Sequence, residues 1–80
     1  MIKMLKERSI YLFKDADGKP HYRAQLIADT AAELSGVTEI GGNVLDFGSI
    51  ALTADGKVLM FDSGSTWHDL SDGSEVSGNG

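Results

Sequence analysis

The chain has 80 residues, twelve acids against seven bases for a net charge of −5, 41% hydrophobic and 8% aromatic residues, and no cysteine. One domain at most follows, with a small core and neither a disulfide nor a thiolate metal site. The acidic balance argues against a nucleic-acid face, which is ordinarily basic. No apolar run approaches the roughly 20 residues of a membrane helix, and no apolar stretch follows the charges of Met1–Ser9, so a soluble chain without a signal peptide is expected. Domains this small bury only about 60% of their unfolded surface. Their usual supports are disulfides, a metal or oligomerisation. Neither of the first two has a signal here, which leaves oligomerisation.

Four of the seven bases, Lys3, Lys6, Arg8 and Lys14, fall in the first fourteen residues. Residues 1–8 read as an N-terminal arm, a frayed helical turn or an extended segment. It is either a solvated terminus or a basic arm (Lys3, Lys6, Arg8) that docks on an acidic surface. Residues 9–70 read as one β-rich domain. Ser9–Lys14 is rich in strand formers, and Asp15–Pro20 has turn chemistry, with Gly18 free to take positive φ. In His21–Ile27, Tyr22, Ala24 and Leu26 share one face. His21, Arg23 and Gln25 share the other, with Ile27 breaking the polar side. That alternation predicts a half-buried strand, paired with the first as a hairpin.

Thr30 and Glu33 have the spacing of a capping box, and Gly36 suits a helix end. A helix of one to two turns over Ala31–Ser35 is expected, pinned to a sheet by Ala31 and Leu34 because it is too short to stand alone. Val37–Ile40 and Val44–Phe47 read as short strands or an irregular crossover, with Gly41-Gly42-Asn43 turning between them. Ser49–Leu52 and Val58–Phe61 are strands joined by a turn that repeats Ala-Asp-Gly-Lys, 38 residues after its first occurrence. Both turns are predicted to be three-residue loops with a glycine bulge. Trp67 starts a last strand or packs back over that hairpin. Residues 71–80, with three glycines and almost nothing to bury, read as a flexible tail. The fold class is mainly β with one short helix: a small antiparallel sheet or sandwich built from two hairpins.

No motif for chemistry emerges. Asp15-Ala16-Asp17-Gly18 opens like a calcium loop, but the twelfth position is Leu26 where such a loop needs glutamate. His21, His68, Asp69 and the serines form no nucleophile elbow, and the two histidines are expected to face water. The glycine pairs lack the Gly-Lys-Ser/Thr ending of a phosphate loop. No catalytic residue, metal or cofactor is therefore expected, and the protein is not expected to be an enzyme. The informative feature is Val58-Leu59-Met60-Phe61, apolar on both faces. It is either a central strand covered on both sides or a strand with one face on a partner, because an uncovered face is an aggregation hazard. Trp67 divides in the same way between core and interface anchor. Leu59, Met60, Phe61 and Trp67 are the candidate interface residues.

Three segments carry a family resemblance: Ile27–Leu34 (IADTAAEL), Gly48–Leu52 (GSIAL) and Lys57–Ser63 (KVLMFDS), closed by Trp67. They resemble a group of small tailed-phage and prophage proteins encoded among head and connector genes, including head-fibre and head-decoration types. The likeness covers about half the chain. It departs where a proline often follows the Glu-Leu pair, since Ser35-Gly36 stands there. It implies a non-enzymatic virion structural protein in multiple copies, attached to the capsid or neck. It implies contacts with copies of itself and with a major capsid or connector protein, and location in the virion after assembly in the host cytoplasm. A different class of function is a carbohydrate-binding module of a tail or fibre, stacking sugars on Trp67 and Tyr22. A third is a small host-acting regulatory protein.

Overall fold

A computed structural model describes residues 1–76 of the chain. Nine strands form two mixed sheets. β1 (Lys3–Met4), β4 (Gln25–Ala28), β7 (Ile50–Thr53), β8 (Val58–Phe61) and β9 (Trp67–Asp69) lie in the order β1-β4-β7-β8-β9. β2 (Ile10–Lys14), β3 (Pro20–Arg23), β6 (Asn43–Leu45) and β5 (Glu39–Ile40) lie in the order β2-β3-β6-β5. The fold is mainly β, as the residue pattern indicates. The two predicted hairpins, β2–β3 and β7–β8, both form, and of the alternatives for residues 37–47 the short strands are found, paired as β5–β6. What pattern alone did not supply is two parallel pairings, β3 with β6 and β4 with β7. The strand expected at His21–Ile27 runs through both sheets and changes partners at Ala24.

That change of partner leaves two consecutive amides without a ladder, and two serines take them. The Ala24 N–H donates to Ser49 Oγ at 2.9 Å, and the Gln25 N–H donates to Ser9 Oγ at 3.0 Å. Each hydroxyl passes its own proton on, Ser49 to the Asp46 carbonyl and Ser9 to the Leu5 carbonyl, both at 2.8 Å. Ser49 is fully buried. A buried amide without a partner costs about 1–3 kcal/mol, so the serines make the junction between sheets possible.

Side chains alternate across a strand, and along residues 20–28 this alternation is unbroken. Tyr22, Ala24, Leu26 and Ala28 point inward; the last three are buried. Ala51, Leu59, Phe61 and Trp67 join them from the larger sheet, and Leu34 and Leu45 complete the cluster. The predicted helix is a 3-10 turn, Ala31–Leu34, shorter than the α-helix expected. Glu33 closes its half of the capping box by accepting the Thr30 N–H at 3.0 Å. It also accepts the Asp29 N–H at 2.9 Å. With Gly36 at φ +75° ending the segment, four residues suffice to deliver Leu34 to the core. Trp67 lies against Phe61, ring centres 5.0 Å apart, and its indole N–H donates to the Val37 carbonyl at 2.9 Å. The last strand is thereby tied to the segment behind the 3-10 turn.

One turn recurs through the fold. In the two Ala-Asp-Gly-Lys turns, Asp15 and Thr53 each donate a backbone N–H to the carbonyl four residues on, at 2.9 and 3.0 Å. Gly18 and Gly56 occupy the left-handed position. Residues 62–66 repeat this pattern, with Asp62 bonded to Thr66 and Ser65 at φ 64° in the place of glycine. Residues 69–74 form a looser fourth version. The Asp69 N–H donates to the Ser74 carbonyl at 2.9 Å, and the Val76 N–H to the Trp67 carbonyl at 2.8 Å. Residues 71–76 of the expected tail therefore belong to the sheet end; residues 77–80 lie outside the described residues.

Two outcomes test this account. Ser49→Ala, which strands the Ala24 amide, is expected to lower unfolding free energy by about 1–3 kcal/mol in urea denaturation. Ser65→Gly removes the left-handed strain on a side-chain-bearing residue and is expected to stabilise by about 1 kcal/mol, read as a rise in Tm; a fall in Tm would contradict the turn assignment.

Candidate interaction surface

The inward face of the larger sheet is covered, and its outward face is not. In register across that face run Lys3, Ile27, Leu52 and Val58, and beside them Gln25, Ile50, Met60 and His68. Leu70, just past β9, extends the first row by donating its amide to the Val58 carbonyl at 2.9 Å. Ile27, Ile50, Leu52, Val58 and Leu70 keep 37–50% of their surface in water. Met60 is half-buried among them. None of the eight strand positions on this face is a carboxylate, although acids outnumber bases twelve to seven. The same outward side continues along the through-running strand to Arg23 and His21, with exposed Ile10 in register opposite Arg23. Single exposed apolar residues are ordinary, but a contiguous set on one sheet face marks a contact site.

The candidate interface residues divide here. Leu59, Phe61 and Trp67 are buried in the core of a single copy and are not available to a partner. The reason is the strand's two-residue period, which sends Leu59 and Phe61 inward and Val58 and Met60 outward. Only Met60 remains at the surface. Its neighbours Ile27, Ile50, Leu52 and Leu70 escaped sequence reasoning because they come from three separate segments, and Val58 was seen only as part of the two-faced run. The one signal was Ile27 breaking the polar side of its strand. The basic arm is not a free arm either. Ile2 and Met4 pack against the core and hold β1 to β4. Lys3 sits on the outward face, Lys6 lies 5.6 Å from the Tyr22 ring centre, and Arg8 ends a 3-10 turn. Trp67 offers no stacking platform for a sugar. Tyr22 is half-buried and meets Tyr11 edge-on, ring centres 5.7 Å apart.

The two histidines do not simply face water. His21 is wedged between two carboxylates, with Nδ1 2.7 Å from Asp46 and Nε2 2.8 Å from Asp15. Its ring stacks on Phe13, centres 4.3 Å apart. Both ring nitrogens face acceptors, which only the imidazolium satisfies. The Asp46 and Asp15 carboxylates accordingly raise the His21 pKa. Asp15 is lowered in turn, by His21 first and then by the Lys19 amide. His68 has the same form. Nδ1 lies 3.1 Å from the Gly73 carbonyl, and Nε2 contacts Asp62; the Gly73 bond and then the Asp62 charge raise its pKa. The Thr66 hydroxyl donates to the Asp62 carboxylate at 2.9 Å, which leaves it no proton directed at His68. Both clusters close turns, with Asp15 and Asp62 as the shared acceptors.

No protein-family model matches the chain, and no curated protein or solved structure is significantly similar to it.

The shifts set a stability profile. The histidines bind their proton more tightly folded than unfolded, so their contribution is complete below the ordinary value of 6.5 and disappears as pH climbs through the raised values. Asp15, Asp62, Asp69 and Asp72 have lowered values; their contribution is complete above 3.8 and disappears as pH falls below it. Tm is therefore expected to be highest between about pH 4.5 and 6.5 and to fall toward both pH 2 and pH 9. A Tm rising steadily from pH 6 to 9 would contradict the clamped histidines.

Proposed function

We propose that the protein is a non-enzymatic structural component that works by repeated contact, and that the outward face of its larger sheet docks a second copy of the chain. One observation carries this reading: six neighbouring apolar side chains, Ile27, Ile50, Leu52, Val58, Met60 and Leu70, form a face whose strand positions hold no acid, with Asp62 and Glu75 only at its His68 edge. Copies with net charge −5 repel one another elsewhere. This face brings two of them together over apolar side chains, with Lys3 on one outer strand and the His68–Asp62 pair on the other. An 80-residue domain covered on one side gains the missing burial by self-association.

The likeness of Ile27–Trp67 to small tailed-phage head and connector-region proteins supports a virion as the setting. In that reading the copies attach to a major capsid or connector protein, and Lys3 and Arg8 add attraction to an acidic shell. The core residues Leu59, Phe61 and Trp67 serve as the rigid platform behind the face.

Size-exclusion chromatography with light scattering tests the docking. The native chain is expected to elute as an oligomer. Leu52→Glu, at an outward position with room for the longer side chain, is expected to be a folded monomer with its circular dichroism retained. A native chain that stays monomeric at millimolar concentration would overturn the reading. Mass spectrometry of purified particles tests the setting: absence of the chain from particles would leave a host-acting protein in its place.

A further inference from the structure

His21 is held in a way that reaches beyond its own strand. Its ring contacts Phe13, Asp15 and Asp46, and the remaining strands of the smaller sheet lie in register beside it. β2 supplies Phe13, stacked on the ring. The β2–β3 turn supplies Asp15, bonded to Nε2. β6 supplies Val44, its partner in register, and β5 supplies Glu39 one strand further, paired with Lys19 at 3.1 Å. The crossover after β6 supplies Asp46, and β3 itself places Arg23 two residues along the same side.

The two carboxylates are not held alike. Asp15 also accepts the Asp17 and Lys19 amides, at 2.9 and 3.0 Å. Among the described residues, the side chain of Asp46 has His21 as its sole hydrogen-bond partner. The Asp46 backbone stays pinned, its N–H on the Tyr22 carbonyl and its carbonyl on Ser49. A neutral imidazole has one N–H and cannot donate to both acids. Asp15 keeps its turn whatever the ring does, so Asp46 is the group that is let go. Asp46 adjoins exposed Phe47 and Gly48, where Arg23 Nε approaches the Phe47 carbonyl at 3.5 Å. The cluster's charge passes from −1, with one imidazolium against two carboxylates, to −2. The added charge appears at the end of the outward side that carries Ile10, Arg23 and Ile50.

We propose that His21 is a protonation latch beside the docking face, on the smaller sheet's continuation of the same outward side: its imidazolium holds Asp46 in place, and loss of the proton frees that carboxylate and weakens the contact between copies. This rests on the docking proposed above. Association is therefore tighter at mildly acidic pH than at alkaline pH.

Two measurements on the whole chain separate the latch from the docking. In the first, heteronuclear NMR follows the His21 ring carbons and the Phe47 amide from pH 5 to 9.5. The Phe47 shift is expected to move with the His21 midpoint. In Asp46→Asn the midpoint falls and the Phe47 response disappears. A Phe47 amide that does not follow His21, or a midpoint unmoved by Asp46→Asn, overturns the latch, whatever the oligomeric state. In the second, sedimentation equilibrium over the same range gives Kd. For the native chain Kd is expected to rise with pH, by up to about tenfold per pH unit for one linked proton. His21→Gln removes that slope and leaves any part due to His68. A slope unchanged by His21→Gln overturns the regulatory link. No association at any pH overturns the docking itself, and the NMR titration still judges the latch.

Discussion

Everything in this fold hangs on two amides in the middle of one strand. Between β3 and β4 the chain passes from one sheet to the other without turning, and neither sheet's ladder reaches the Ala24 and Gln25 N–H groups. Ser49 on one side and Ser9 on the other accept them and relay the bonds to the Asp46 and Leu5 carbonyls. Buried backbone donors go unpaired only at considerable cost. The pegs therefore let the strand change partners while its in-and-out alternation survives. Because alternation survives, both sheets present a common inner side and a common outer side.

From that common geometry comes the one-sided core. Trp67, Phe61, Leu59, Leu34 and the small Ala24 and Ala51 fill the inner side, and the tryptophan's bond to Val37 fixes the cover over it. Among the described residues nothing forms a second layer on the outer side; the helical elements are two 3-10 turns of three and four residues. The outer apolar row thus lies on the face that the described residues leave without a covering layer.

The placement of acids follows the same logic. Asp15, Asp62 and Asp69 sit at the first position of turns, where a carboxylate accepts the backbone N–H groups that no ladder reaches. Strand positions on the outward face of the larger sheet are left without acids. The histidines that follow two of these turns, His21 and His68, are drawn into the same acceptors. Turn chemistry thereby creates titratable clusters at the edges of an otherwise apolar face.

Much of this was legible in the residues. Local alternation marked the strands, and glycine with aspartate marked the two Ala-Asp-Gly-Lys turns. Thr30 with Glu33 marked a helical start, though tertiary packing shortened it to a single 3-10 turn. The third turn was hidden because Ser65 stands where glycine was expected, although Asp62 and Thr66 keep the spacing of Asp15 and Lys19. The parallel pairings and the serine pegs were not legible at all, and the outward row only in Ile27 and in the two-faced run Val58–Phe61. The pairings and pegs join residues 16 to 25 positions apart, and nothing in a short window tells a strand which of two distant neighbours it will meet. By itself, the sequence determined the strands, the turns and the absence of a motif for chemistry, because those depend on near neighbours and on residue type. Only the tertiary structure decided which apolar residues are core and which are surface, because a strand's two faces are equivalent until something is packed against one of them.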